Sequence, residues 1–340
     1  MTARVGILSF AHVHAPGYAS DLGALESAEF VGIADGDVGR GREAAERYGV
    51  RYFDEAERLF EAVDAVLVCS ENRWHARDVI PALRAGVDVL CEKPIATTPG
   101  DARAMIQAAG EVGRRLGIAF PVRYAPAIRR AREVLRSGAI GRVLAVNGTN
   151  HGRAPGGWFA DPDLSGGGAV MDHTVHLADT LRFLLGVEVK SVYAEVGTFF
   201  GEGRVDDAGI LTLELGGGEL ADGAFATVDP SWSRGEGYPT WGDFTLRITG
   251  SSGVLDVDAF SRSITVFDHG AGRTAWTPAG GDPNALMLDD FLGGGGGDWA
   301  DGRDGLRALE VVLAAYRSGE EHAAVEVAHE EGVKAGPDRP

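Results

Sequence analysis

The side chains best suited to acid–base chemistry are Lys93, in CEKP, and Asp172 and His176, in MDHTVH. Asp172 and His176 stand four residues apart, so a helix would put both on one face. There they could form a base and its partner, half of a metal site, or a buried structural pair; His173 is expected to point elsewhere. No third or fourth ligand follows in a usable pattern, so no metal is expected. The run SGGG just before them is expected to leave that helix's N-terminus open to a ligand. Lys93 follows an apolar, strand-like run. In a partly dry crevice a lysine can polarise a hydroxyl, whereas in solvent it is only a surface charge. Its place in the fold decides between the two.

The elements needed to position these groups are readable as patterns. RVGILSF, SAEFVGIAD, DAVLVCS and DVLCEK read as short buried strands, and GYASDLGALE, GRGREAAERYG, RWHARDVIPALRAG and PGDARAMIQAAGEVG as helices between them. Continuous apolar strands alternating with amphipathic segments imply a parallel sheet covered on both faces. Residues 122–136 read as a crossing helix. From residue 142 the pattern changes to RVLAVNGTN, KSVYAEVGTFF, GILTLEL, ELADGAFATV, DFTLRITG and SITVFDH, strands of a large and mostly antiparallel sheet. A helix over Ala169–Leu185 interrupts it early. Another, over residues 305–317 with Asp304 as its N-cap, closes the fold. Residues 293–304 read as a flexible glycine loop and the residues after 326 as a disordered tail.

In a doubly wound sheet, ligands bind outside the carboxyl ends of the strands, which directs Lys93 into the crevice. Asp35 ends the second strand, where an acidic residue bonds adenosine ribose hydroxyls; the alternative is a strand-end Asp capping the next turn. Gly36 and Asp37 follow it, where a 2′-phosphate would want an arginine, so NAD is expected over NADP. In GIADGDVGRGREAAERYGV, VLVCSENRWHARDVIPALRAGVDVLCEKPIATT and WFADPDLSGGGAVMDHTVHLADTLRFLLG the chain resembles the Gfo/Idh/MocA oxidoreductases, the glucose–fructose oxidoreductase and inositol dehydrogenase group. The resemblance runs over residues 5–318. It implies an α/β fold: an N-terminal Rossmann domain (residues 1–122), then an α+β domain with a large, mostly antiparallel open sheet (123–326), with substrate between them and residues 327–340 as tail. It further implies that Lys93, Asp172 and His176 are the catalytic set. By the same resemblance Ser70, Asn72 and His75, in SENRWH, lie along the cofactor with Glu92, and Arg123 lies near the active site. Trp158 could stack on a sugar or be a core tryptophan.

The first loop, SFAHVHAPGY, departs from that pattern. Ser9 and Ala11 fall near the first two glycine positions of a dinucleotide fingerprint and His14 near the third. Small Ser9 and Ala11 allow close backbone approach, so Ser9, Phe10, Ala11 and His12 are taken as cofactor-binding, with pyrophosphate on backbone N–H groups at a helix N-terminus. His12 and His14 could reach phosphate or substrate, or simply be solvated or capping residues.

Composition limits the partners. With 340 residues the chain can bury two cores. A formal net charge of −18 argues against nucleic acid and anionic membranes, both of which need a basic face. No apolar run approaches the roughly 18 residues of a membrane span, and no leader pattern is present, so a cytoplasmic setting is expected. Cys69 and Cys91 read as small buried hydrophobes. The expected activity is hydride transfer between a nicotinamide cofactor and a secondary alcohol of a sugar, inositol or related polyol, by a homodimer or homotetramer joined through the second sheet. The alternatives are a non-catalytic cofactor-binding regulator, or an enzyme using bound NAD for internal redox such as epimerisation or glycoside cleavage.

Overall fold

Apolar runs too long to leave one face in water fold here as central parallel strands. The computed structural model describes residues 2–238, 240–260, 263–268, 273–278, 281–294 and 297–329. Strands β1 (Ala3–Leu8), β2 (Ala28–Ala34), β3 (Arg51–Phe53), β4 (Ala65–Val68), β5 (Asp88–Cys91) and β6 (Leu116–Ile118) alternate with helices α1 (Ala15–Ala24), α2 (Val38–Tyr48), α3 (Ala56–Phe60), α4 (His75–Arg84) and α5 (Pro99–Val112). They pair in parallel in the order β3-β2-β1-β4-β5-β6. All four residues of β4 are buried, as a sheet covered on both faces requires. The chain direction across the sheet reverses between β1 and β4, so their carboxyl ends open the ligand crevice.

The second half follows as α6 (Pro126–Arg136), β7 (Val143–Thr149), α7 (Pro162–Ser165), α8 (Ala169–Leu185), β8 (Glu188–Gly197), β9 (Ala208–Gly216), β10 (Phe225–Asp229), β11 (Thr245–Gly250), β12 (Val254–Asp258), β13 (Ser263–Asp268), β14 (Arg273–Pro278), α9 (Pro283–Asp289), β15 (Ala300–Asp301), α10 (Gly302–Glu321) and β16 (Val325–Glu326). Its sheet runs β12-β11-β7-β10-β9-β8-β16. Strand β10 lies parallel to β7, and the other described pairs are antiparallel. In β9, Leu211, Leu213 and Leu215 are buried while Ile210, Thr212 and Glu214 face outward, the period of a half-buried strand. Each such leucine contributes about 1.5–3 kcal/mol on full burial. Helix α8 lies on the inner face, buried along nearly all its length.

Several expectations are corrected. Among the described residues, Ser263–Asp268 of SITVFDH does not join the large sheet; β13 pairs with β14 in a separate two-stranded antiparallel sheet, and His269 lies outside the described residues. The crossing helix starts at Pro126, because Ala125 is held extended ahead of a proline. Residues 293–304 are not simply a loop: β15 adds antiparallel to β6, and Asp301 caps α10. Asp304 is the third residue of that helix, and its side chain reaches back to the Asp301 N–H, completing a capping box. After residue 326 the chain stays attached, with the Val327 N–H donating to Lys190 and His329 facing the Val189 carbonyl and Glu310. Residues 330–340 of the expected tail lie outside the described residues.

Candidate active site

Strand β5 delivers Lys93 to the crevice, and α8 approaches it from the second unit. The Lys93 ammonium forms a buried ion pair with Asp172 Oδ1, while Asp172 Oδ2 accepts the Trp232 Nε1–H at 3.1 Å. Burial opposes ionisation of Asp172, yet Lys93 and then His173 hold its carboxyl well below the usual range. His176, one turn further along α8, is also buried, and its Nδ1 has no hydrogen-bond partner among the described residues. Burial, followed by the charge of Lys93, pushes its imidazole well below the usual histidine range, so it is neutral at pH 7. His173 does not point elsewhere. It lines the same cavity, with Nδ1 donating to the Pro230 carbonyl (2.9 Å) and Nε2 at 3.3 Å from Asp172.

The first loop keeps the shape of a nucleotide loop by other means. Ser9, directly after β1, takes a left-handed backbone (φ 71°), the conformation for which glycine is the ordinary choice. Phe10 N–H donates to Asp35 Oδ2 at 2.7 Å, tying the ends of β1 and β2. Unlike the sequence reading, an arginine does reach this corner: Arg40, from the first turn of α2, bonds Asp35 through Nε (2.8 Å) and Nη2 (2.7 Å). The expected open helix N-terminus is absent. Ala15 N–H is taken by the His12 carbonyl, Gly17 N–H by His14, and Pro16 has none. The Ala11 and His14 N–H groups are held only by side chains, Ser9 Oγ and His12 Nδ1, each at 3.2 Å. Those two, with the Val13 N–H, which has no partner among the described residues, are the donors a phosphate could claim. Buried Ser70 Oγ, Asn72 Oδ1 and His12 Nε2, without hydrogen-bond partners among the described residues, sit on the loops at the ends of β1 and β4. Orphaned polar atoms at this crevice fit a dinucleotide.

Glu92 and His75 hold the crevice loops rather than face open solvent. Glu92 accepts from Tyr18 O–H (2.6 Å) and its own neighbour's Lys93 N–H (3.0 Å), and lies 2.9 Å from His14 Nδ1. Burial disfavours its charge, but His12, His14 and Lys93 keep the carboxyl well below the usual range. His75 places its two ring nitrogens against the carbonyls of Pro94 (2.9 Å) and Ser70 (3.2 Å), joining the loops after β5 and β4. Donor atoms of His12, His14 and Glu92 fall within 4.8 Å of one another, the spacing of a metal site. Here they satisfy one another, and the adjacent Lys93 and N-terminal end of α1 disfavour a cation.

Two expected substrate residues serve elsewhere. Arg123 is buried away from the cavity, bonded to Asp179 (2.7 Å) and Asp304 (3.0 Å), with Arg182 also on Asp304 (2.6 Å). This cluster ties α8 to α10. Trp158 stacks on Phe159 (centroids 3.8 Å) and donates from Nε1 to the Ala11 carbonyl at 2.9 Å, pinning the first loop to the second unit. Nor does SGGG open the N-terminus of α8. The Asp206 carboxylate fills it, accepting from the Gly168 and Val170 N–H groups at 2.8 Å and from Tyr316 O–H at 2.8 Å. A Cβ on Gly168 would lie 1.7 Å from the Asp206 carbonyl oxygen. Glycine is there to admit that backbone. Nothing in the local sequence around Asp206 signals the contact, since it is made across 36 residues or more.

Lys93, Asp172, His173 and His176 open with His12 and His14 into one cavity of about 680 Å³ between the two sheets' units. A more open depression of about 650 Å³ on the outer face of the second sheet carries none of these groups. Residues 3–120 match the family described as "Oxidoreductase family, NAD-binding Rossmann fold", and residues 128–256 match "GFO/IDH/MocA C-terminal domain". D-glucoside 3-dehydrogenase of Escherichia coli (strain K12) is 34% identical over 198 residues, 56% of each chain, so the match spans about half of that relative. Inositol 2-dehydrogenase 2 of Saccharopolyspora erythraea is 31% identical over 249 residues, 72% of this chain and 70% of the relative. The aldose-aldose oxidoreductase of Caulobacter crescentus, solved with glycerol, superposes with a TM-score of 0.81 at 26% identity over 96% of this chain and 100% of that one.

Proposed function

The chain belongs to the Gfo/Idh/MocA family of oxidoreductases, and from that premise we propose that it is an NAD-dependent dehydrogenase of a secondary alcohol in a sugar, inositol or related polyol. The observation that carries the reading is the cavity in which Lys93 of the first unit meets Asp172 and His176 of the second. A bound nicotinamide supplies the hydride acceptor. The substrate loses a hydride from carbon and a proton from oxygen, leaving a carbonyl. His176, held neutral, takes the hydroxyl proton on a ring nitrogen. Lys93 donates to that oxygen and stabilises its negative charge, while Asp172 fixes the ammonium by ion pair and, through Trp232, is itself fixed to the second unit. Ser9, Phe10, Ala11, His12, Asp35, Ser70 and Asn72 would hold the dinucleotide.

NAD is favoured because the Asp35 carboxylate opposes a 2′-phosphate. Calorimetry should find NAD tighter than NADP, and Asp35→Ala should narrow the gap by weakening NAD and freeing Arg40 for phosphate. Tighter NADP binding by the unaltered protein would refute the assignment. A panel of polyols and sugars, read by the absorbance of reduced nicotinamide, tests the activity itself. An inert panel with intact NAD binding would favour the regulator. We also assign a cytoplasmic setting, which the two buried free thiols suit, and an oligomer through the outer face of the second sheet, where Tyr193, Ile210, Phe225 and Val254 are exposed. Among the described residues no helix is long and apolar enough to cross a membrane.

A further inference from the structure

We propose that the substrate is a neutral glycoside carrying a second ring, and that Trp241 and Phe260 form the subsite for that ring; the proposal rests on the dehydrogenase reading above. Three large apolar side chains line the reaction cavity while remaining about half exposed: Val13 (49%), Trp241 (50%) and Phe260 (46%). One such side chain on a surface is ordinary, but three around one concave opening form a binding patch. They also divide the cavity. The acid–base groups come from the end of β5 and from α8, whereas the aromatics come from the segments after β10 and β12.

Trp241 is a fixed platform. Gly152 lies against its indole, so close that a Cβ there would stand 3.2 Å from Nε1. On either side of it, Thr240 O–H donates to Gly242 (3.1 Å) and Asp243 N–H to His151 (3.0 Å). The Asp243 carboxylate accepts from Thr149 (2.6 Å), pairs with Arg234, and lies 3.0 Å from His151, whose other ring nitrogen is 3.1 Å from Asp229. Burial opposes a charge on His151, but Asp229 and Asp243 raise its imidazole to about 9, and Arg234 Nη2 lies 2.9 Å from its Nδ1. Phe260 in turn packs on buried Phe244 (centroids 6.5 Å). An aromatic face already immobilised costs little further ordering when a flat ring settles on it.

Charge selects the class. The Lys93 ammonium is committed to Asp172, no arginine lines this cavity among the described residues, and Asp282 adds a carboxylate to its wall. Beyond Lys93, which is paired with Asp172 and faces the reacting oxygen, a sugar phosphate or uronate would find no lysine or arginine counter-charge among the described lining residues. At about 680 Å³ the space, which the nicotinamide ring and the reacting sugar would share, falls within the ~300–1,000 Å³ of sites that enclose drug-sized ligands.

The test uses the NAD-loaded protein with phenyl and methyl glucosides of both anomers, cellobiose and free D-glucose, measuring kcat/KM and the calorimetric Kd. Ring-bearing glycosides should be preferred over the methyl glucoside. Trp241→Ala should cost them roughly 3- to 10-fold, the usual worth of one aromatic contact, leave the methyl glucoside unchanged, and be largely rescued by Trp241→Phe. A loss confined to phenyl glucosides identifies an aryl aglycone, and a loss shared with cellobiose identifies a second pyranose. Equal kcat/KM for phenyl and methyl glucosides, or an equal loss on every sugar in Trp241→Ala, would overturn the subsite. If neither these sugars nor the polyol panel is oxidised, the dehydrogenase reading fails, and the calorimetric preference for ring-bearing glycosides still decides the subsite.

Discussion

His176 can accept a proton only as a neutral imidazole, and two features of its surroundings keep it so: it is buried, and the Lys93 ammonium shares its cavity. Both disfavour a second positive charge. Because the folded imidazole titrates well below the ordinary value of about 6.5, its neutral form dominates throughout the physiological range. The rate of alcohol oxidation at saturating NAD should therefore stay level as pH falls from 8 through about 6.5, and decline only at more acid pH. A titration-like fall centred on the ordinary histidine value would show a solvated imidazole instead. Among single residues, a strand end and a four-residue helical spacing directed Lys93, Asp172 and His176 toward one crevice, where the structure brings them together, while their catalytic roles came from the family resemblance. The sequence misplaced His173, since Pro230 turns that ring toward Asp172. It missed Arg40, whose side chain folds back over a full helical turn to Asp35.

Helix α8 carries two of the three groups proposed to act on the alcohol, so its placement sets their geometry. Its N-terminus is held from outside by Asp206, which accepts from the Gly168 and Val170 N–H groups and from Tyr316 of α10. Removing that carboxylate by Asp206→Ala leaves orphan donors at a buried helix end and should cost about 1–3 kcal/mol in denaturant unfolding. Turnover should fall with it while NAD affinity holds, because α8 belongs to the substrate side. Stability equal to wild type would show the cap to be incidental. The bounds of α8 itself were legible from its apolar pattern and the glycines at both ends. Strands β3 and β6, three residues each, are too short for any periodicity to register. The SGGG run was misread because glycines that admit a ligand and glycines that admit a distant loop's backbone leave the same trace in sequence.

At the scale of the molecule, the site exists only where two units close on each other. Chain returning from the second unit seals them, as β15 extends the first sheet and α10 packs against both α8 and α5. The Arg123–Asp179–Asp304 cluster fastens that seam, and Trp158 clamps the first loop. The alternation of the first half and the strand-rich second half announced two sheets. The return of β15 was not visible, because a two-residue strand inside glycine-rich sequence gains its identity only from the edge it meets. The central claim is that a base on one unit and an ammonium on the other act on a single alcohol between them. The most direct measurement is single-turnover oxidation of an active polyol or glycoside by His176→Ala, with NAD affinity determined by calorimetry on the same folded variant. A positioned base supplies about 10²–10⁴-fold in rate, so the variant should lose a large part of that factor with NAD affinity unchanged. A rate and pH profile matching the unaltered protein would contradict the account.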